Sequence, residues 1–487
     1  MDFTPLGRFK SVEAFREYLR ACDAEVECDL ELEGAAGPLG EPCDIRHPDG
    51  TVRTVGNRFC VQPMEGWDAT ADGAPTDHML RRWRRFGESG AKLIWGCEAF
   101  AVQRDGRANP NQLFLNADSR TNLTRLLGEL RSAHEACFAD TEGLLVGLQL
   151  THSGRFSRPS GPMEPRIAEA NPLLAEKFAL PADVHVLTDD ELKTIRDNMI
   201  AAACTASDAG FDFVDVKACH GYLVHELLGA RTREGDYGGP FENRTRFFRE
   251  VVEGIRQERP QLMIGCRVSI TDLVPFVADP ETRRGIPMDH TDHTPWQHGF
   301  GIDPDSPLQP DLTEPVAFLE LAKSLGVSMV NLTVGSPYYC PHFQRPAALP
   351  PSDGYLPPRD PLLDVARHLK TVREIKKRVP GLPLVGSGYS YLQDWIPYVA
   401  QRQVRDRNVD FVGLGRSTLT YHDLPADVLA GRELKKKRFC RTFSDCTTGP
   451  RNGMISGCFP FDPYYKSMPE AKEVKAIRTK ATSKKNG

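Results

Sequence analysis

At 487 residues, with 26% charged and 40% hydrophobic content, the chain has the make-up of a globular protein with at least one large core. A net charge of -5 lacks the basic footprint of a nucleic-acid binder, no apolar run nears the ~20 residues of a membrane helix, and MDFTPLGRFK carries no signal core. Thirteen cysteines, odd in number and scattered singly, predict reduced thiols in a cytoplasmic protein.

Residues 1–56 read as an irregular N-terminal extension, turn-rich around Gly34 to Asp49. From residue 57 to 432 short apolar runs alternate with longer amphipathic segments. Strands are predicted at Phe59–Gln62, Lys92–Trp95, Leu144–Leu150, Phe211–Val216, Leu262–Val268, Ser328–Leu332, Leu382–Val385 and Asp410–Gly413. Helices are predicted near 76–88, 119–138, 189–209, 242–258, 314–325, 362–378, 391–403 and 424–432. The third is best signalled, with Thr188 and Glu191 forming a capping box and Gly210 a stop. Eight strand–helix pairs predict an α/β fold, a (β/α)8 TIM barrel, with a doubly wound open sheet as the structural alternative. Residues 433–487 form a short irregular C-terminal extension, its basic end from Lys472 to Lys485 read as a frayed terminus.

Two insertions interrupt the rhythm. Arg155 to Leu187 is polar and proline-rich. Phe276 to Glu314 holds His290, His293 and His298 without helical spacing or cysteine partners, which suits a substrate-covering or plain surface loop better than a metal site. The glycine-rich, basic stretch from Arg231 to Arg249 is expected to be mainly scaffold.

A barrel presents its chemistry at the carboxyl ends of its strands. Those ends carry Pro63, Met64 and Glu65, then Glu98 and Ala99, Gln149 to His152, Lys217 to Tyr222, Arg267, Gly386 to Gly388, and Gly415 with Arg416. Glycines beside an arginine on the last two strands could cradle a phosphate. Polar side chains on strands three to five could meet a ring, which together suits a phosphorylated cofactor across the barrel mouth.

In this order and spacing the stretches NRFCVQPM (57–64), CEAFAV (97–102), LQLTHSGR (148–155), CHGYL (219–223), GDYGGPFENRTRF (235–247), IGCRVS (264–269) and VGLGR (412–416) resemble the old yellow enzyme (NADH:flavin oxidoreductase) family. The likeness extends to the barrel of dienoyl-CoA reductase and trimethylamine dehydrogenase-type members. The resemblance implies bound FMN and NAD(P)H as reductant. It places backbone at Pro63, Met64 and Ala99 along the flavin ring, Gln149 at its pyrimidine edge, and Arg267 near N1–C2=O. There a cation stabilises negative charge on the reduced ring. Gly388, Gly415 and Arg416 would bind the phosphate. The substrate end departs from the family, with Lys217 and His220 where a His-x-x-His or His-x-x-Asn pair holds the substrate oxygen. Either Lys217 contacts an anionic substrate such as an enoate, or a carboxylate, Glu98 among the candidates, ties it up. Tyr222 matches the proton donor to the substrate α-carbon. Cys219 reads as a small core residue.

In multidomain relatives four cysteines after the barrel hold a [4Fe–4S] cluster. This chain offers Cys440, Cys446 and Cys458 as weak metal candidates, with Phe443 where the second of the four cysteines would fall, so no metal is assigned. The expected function is reduction of an activated C=C bond in an enone, enoate or thioester, with a small molecule as partner and homo-oligomerisation left open. The alternatives are a flavin-dependent amine dehydrogenase or demethylase, and a non-catalytic flavin-binding barrel.

Overall fold

Eight parallel strands close on themselves in a computed structural model that describes residues 3–482. They are β1 (Phe59–Val61), β2 (Leu93–Ile94), β3 (Leu145–Thr151), β4 (Phe213–Val216), β5 (Met263–Ser269), β6 (Met329–Thr333), β7 (Leu384–Gly386) and β8 (Phe411–Leu414). Each pairs with the next, and β8 returns to β1 through Val412 against Phe59, so no edge is left open. A short ninth strand, Ala99–Ala101, lies along the upper half of β3. The open-sheet alternative is thereby excluded.

Helices follow the strands: α1 (Asp77–Gly87), α2 (Ser119–Phe138), α3 (Asp189–Ala209), α4 (Phe241–Glu258), α5 (Thr313–Ser324), α6 (Pro361–Arg378), α7 (Ile396–Arg405) and α8 (Leu424–Leu429). The box at the start of α3 is formed, with Thr188 Oγ1 accepting from Glu191 N at 3.2 Å and Glu191 Oε2 accepting from Thr188 N at 2.8 Å. Gly210 ends that helix at φ +96°, a left-handed conformation that costs glycine nothing. The predicted helix 391–403 is split, a 3₁₀ turn over Tyr389–Trp395 preceding α7, where Pro397 sits in the first helical turn.

Side chains two residues apart along a strand face the same side, so the barrel interior can be read as layers. The lowest is apolar: Leu93, Leu145, Phe213, Met329, Val385 and Phe411 pack around Trp95. One step up, Gln62, Asp215, Asn331 and Ser387 make it polar, with Gly147 leaving room for the Phe213 ring that a β-carbon would strike at 2.3 Å. At the next step, Gln149, Lys217 and Arg267 face a cavity of about 260 Å³ at the carboxyl ends.

The N-terminal extension is more ordered than expected. It contains a helix, Val12–Ala21, whose Phe15 stacks on Trp395 at 4.9 Å, and a hairpin, Cys43–Arg46 with Val52–Val55. The fully buried Ile45 and Val55 of that hairpin complete the apolar layer and close the barrel floor. The basic tail is corrected as well. Most of it lies in a helix, Glu470–Thr482, docked through the buried Val474 onto Met454, Phe459 and Tyr465. Residues 483–487 of that tail lie outside the described residues.

The insertion after β5 forms a second hairpin, Phe276–Ala278 with Gly285–Pro287, and a small core around Trp296. Its histidines have separate partners: His298 Nδ1 meets Glu169 Oε2 at 2.8 Å and His290 Nδ1 meets Met288 O at 3.0 Å. The Arg231–Arg249 stretch uses its arginines on scaffold ion pairs, Arg231 and Arg244 with Glu314 and Arg233 with Asp189.

Candidate active site

Beneath the cavity, Asp215 is fully buried at the centre of a hydrogen-bond cluster. It accepts from Trp95 Nε1 at 2.8 Å, Gln149 Nε2 at 2.6 Å and the Arg267 backbone N–H at 2.6 Å. Burial raises its pKa, and these three donors pull it back. Because one Gln149 N–H is committed to Asp215, the amide can still present its carbonyl oxygen and a second N–H upward. Arg267 reaches the carbonyl of Pro63 at 3.4 Å, while its Nε is buried without a protein partner. A second cluster beside it ties Gln62 to Asn331 and Ser387, with Gln62 Nε2 donating to Ser387 Oγ at 3.0 Å. Gly413 makes this possible, since a β-carbon there would fall 1.8 Å from Gln62 Nε2.

On the β4 side the cavity wall carries Lys217, His220 and Tyr222 together. The carboxylate partner of Lys217 is Glu65, at 2.9 Å, and the ammonium lies 3.8 Å from the centre of the Tyr222 ring. Glu98 does not reach Lys217. It is held by Arg82, which also pairs with Asp68 at 2.6 Å. His220 sits at φ +69°, held there by Ser269 Oγ on its N–H at 3.0 Å and Ser336 Oγ on its carbonyl at 2.7 Å. Its Nε2 lies 3.0 Å from Gln344 Nε2. Burial, then the charges of Arg267 and Lys217, push the imidazole well below its ordinary pKa, so it is neutral near pH 7. The Tyr222 hydroxyl is 2.7 Å from that of Tyr338. Burial, then the charge of Glu65, raise the Tyr222 pKa well above 10 and keep the phenol protonated.

At the opposite side, the ends of β7 and β8 bring Gly388, Ser387, Gly415 and Arg416 to the cavity. Arg416 Nη2 donates to Pro346 O at 2.9 Å, but its Nη1 is buried without a partner. Beside it Arg345 donates to Thr447 and leaves Nη2 equally unpartnered. Burial and the neighbouring Arg416 charge lower the Arg345 pKa to about 9. Two adjacent guanidinium groups with unused donors fit a phosphate oxyanion. This donor set suits FMN: Arg345 and Arg416 would hold its phosphate, and Gln149 and Arg267 would meet its ring.

Pro63 and Met64 line the cavity, but the Met64 backbone is already engaged, donating to Cys97 O and accepting from Ala99 N. Ala99 is not brought to the cavity. It is buried behind Met64, its carbonyl accepting from Gln112 Nε2 at 2.7 Å. Cys219 is fully buried, and burial raises its thiol pKa to about 12, so it packs without acting as a nucleophile.

The C-terminal extension folds over the mouth. Thr447, Arg451 and Ser456 line it, and Ser456 Oγ accepts from Trp67 N at 3.0 Å. Cys440, Cys446 and Cys458 line one small cavity with Arg416 and Phe443, and the Phe443 ring lies 5.6 Å from Phe461. Among the described residues no group of metal ligands assembles. The donors present do not fit a four-thiolate cluster.

Sequence reasoning missed Asp215, Glu65 as a partner, and the loop residues Tyr338, Arg345, Arg158 and Arg451. Asp215 carried a signal, a lone charge inside the buried run FVDV, which has to be satisfied. Tyr338 and Arg345 follow β6 on the active face, but nothing local distinguishes them from other loop residues.

These features define a (β/α)8 barrel with a cation-rich cavity at the carboxyl ends of its strands. Residues 42–279 match the model of the NADH:flavin oxidoreductase / NADH oxidase family. Among curated relatives, an NADH:flavin oxidoreductase of Gibberella zeae is 31% identical over 240 residues, covering 46% of this chain and 56% of that protein. An NADPH dehydrogenase of Bacillus subtilis is 28% identical over 51% of this chain and 68% of its own. Among solved structures, 2-naphthoyl-CoA reductase superposes with a TM-score of 0.64 at 19% identity, over 90% of this chain and 58% of that one. The old yellow enzyme homologue from Zymomonas mobilis gives 0.55 at 21%, over 82% and 94%. The chain thus spans 56% of the first curated relative and 58% of the first solved structure.

Proposed function

We propose that the chain is an FMN-dependent oxidoreductase that reduces an activated C=C bond of a small unsaturated carbonyl compound with hydride from NAD(P)H. The observation that carries this reading is the single cavity that joins Tyr222, Lys217 and His220 on one wall to unpartnered donors of Arg345 and Arg416 on the other. FMN, when bound, supplies the ring that accepts hydride from the nicotinamide and delivers it to the substrate β-carbon. Gln149 offers an acceptor and a donor to the ring edge, and the fixed charge of Arg267 lies beside them.

Neutral His220 orients the substrate oxygen without adding charge. Lys217 is neutralised by Glu65, so the pair polarises through a directed N–H more than as a net cation. Tyr222, kept protonated, donates its proton to the α-carbon. Tyr338, at 2.7 Å, fixes the direction of that hydroxyl. Dehydrogenation of an amine, as named for the structural relative histamine dehydrogenase of Rhizobium sp. 4-9 (TM-score 0.61, 22% identity, 87% of this chain and 52% of that one), is favoured less. An ammonium substrate would meet a wall of seven arginine and lysine side chains and one carboxylate, Glu65.

Anaerobic stopped-flow measurement on the purified yellow protein tests the reading. Tyr222→Phe is expected to slow flavin reoxidation by an enone about a hundredfold while slowing reduction by NAD(P)H far less. Equal losses in both half-reactions would remove the proton-donor role, and protein without extractable FMN would overturn the cofactor assignment.

A further inference from the structure

Of the cations lining the cavity, most have a stated use. Arg82 is matched by Asp68 and Glu98, and Lys217 by Glu65. Arg267, Arg345 and Arg416 face the positions suited to the flavin and its phosphate. Two arginines remain at the substrate end, Arg158 and Arg451, from different parts of the chain.

Arg158 follows the 3₁₀ turn that carries Phe156, and its backbone N–H is anchored to Arg107 O at 2.8 Å. Its half-buried guanidinium contacts only the Met163 sulfur, at 3.9 Å, and no carboxylate pairs with it among the described residues. Arg451 comes from the C-terminal extension. Its guanidinium lies 5.1 Å from the centre of the Tyr338 ring, which also stacks on Phe156 at 3.9 Å and 11°. The Phe156–Tyr338–Arg451 stack thus sets a rigid edge, with Arg158 beside it. Arg451 Nη2 donates to Pro337 O at 3.3 Å, and Nη1 pairs with Asp353, which is 53% exposed and so only partly neutralises it in solvent. Tyr338 responds to both arginines, whose charges lower its hydroxyl pKa against a larger rise from burial.

We infer that Arg158 and Arg451 form an oxyanion-binding wall that selects, among unsaturated carbonyl compounds, those bearing a carboxylate remote from the reacting C=C bond. The inference rests on the ene-reductase reading for the position of the C=C bond, between the flavin site and Tyr222. The wall itself rests on the two arginines. The planar guanidinium fork of Arg158, without a protein carboxylate, matches a carboxylate in geometry as well as charge, and Arg451, shared with the exposed Asp353, adds to it.

The test compares 4-(3-oxobut-1-enyl)benzoate with its methyl ester on the FMN-loaded full chain, using wild type, Arg158→Gln, Arg158→Lys and Arg451→Gln. In these probes the charge is far from the enone, so intrinsic reactivity is nearly shared. The wild type is expected to favour the acid in kcat/KM by about tenfold or more, the size of a charge-assisted hydrogen bond. Arg158→Gln should bring the ratio to near one, Arg451→Gln should lower it, and Arg158→Lys should keep part of it. A wild-type ratio near one, or a ratio unmoved by the substitutions, overturns the wall. So does a KM increase in Arg158→Gln that falls on NADPH more than on the acid, which would give the arginine to a coenzyme phosphate. Calorimetric titration with the saturated acid, 4-(3-oxobutyl)benzoate, reads binding without turnover. If neither enone is reduced but this acid binds about tenfold more weakly to Arg158→Gln, ene-reduction fails and the wall stands. Absent or unchanged binding overturns the wall.

Discussion

Asp215 carries more of this site than any residue that touches the cavity. Three donors, Trp95 Nε1, Gln149 Nε2 and Arg267 N, converge on one fully buried carboxylate, and none has another protein acceptor within the cluster. Asp215→Ala should therefore strand three buried N–H groups, each costing about 1 kcal/mol or more, for a loss of about 3 kcal/mol in urea unfolding. Asp215→Asn keeps one acceptor oxygen and should lose less. Equal effects from the two would mean that the cluster acts only through packing. The residue was legible as a problem, because a charge in a buried strand demands partners, but not as a solution, because its donors sit 120, 66 and 52 positions away. Lys217 shows the same limit. A carboxylate was one of two partners the sequence left open for it, and the choice of Glu65 over Glu98 depends on side-chain direction at two adjacent strand ends.

At the level of elements, the eight strands and their helices were readable because each buries a continuous face, and burial writes a period into sequence. The pieces that were misread bury too little to do so. In the N-terminal hairpin only Ile45 and Val55 are buried, with Asp44, Arg46, Arg53 and Thr54 exposed around them. The helix Glu470–Thr482 likewise hides Val474 among charged neighbours. Small contact does not mean small effect. Ile45 closes the apolar floor against the same cluster as Trp95 and Phe213. Ile45→Ala should cost about 2–4 kcal/mol, in the range of a large-to-small change at a packed site. Unfolding in urea, monitored by tryptophan fluorescence, would show it. A loss below about 1 kcal/mol would mean that the hairpin merely rests on the barrel.

For the whole molecule, the net charge of -5 conceals a strong internal asymmetry. The surface is acidic on balance, while the cavity gathers seven basic side chains around Glu65. Such a cavity raises the local concentration of anions and repels cations. Holding those cations there is costly: burial first, and then the charge of Arg416, lower the pKa of Arg345. An anion bound there relieves that repulsion and also satisfies Arg345 Nη2 and Arg416 Nη1, which have no protein partner. A ligand carrying the phosphate should consequently stabilise the fold more than one that has only the ring. At a free concentration of 100 Kd, binding adds about 2.7 kcal/mol. FMN added to apoprotein should thus raise the melting temperature by a few degrees, whereas riboflavin at the same concentration should raise it far less. Arg416→Gln should bring the two ligands closer together by weakening FMN alone. Equal shifts from FMN and riboflavin in the unsubstituted protein would place the phosphate away from Arg345 and Arg416.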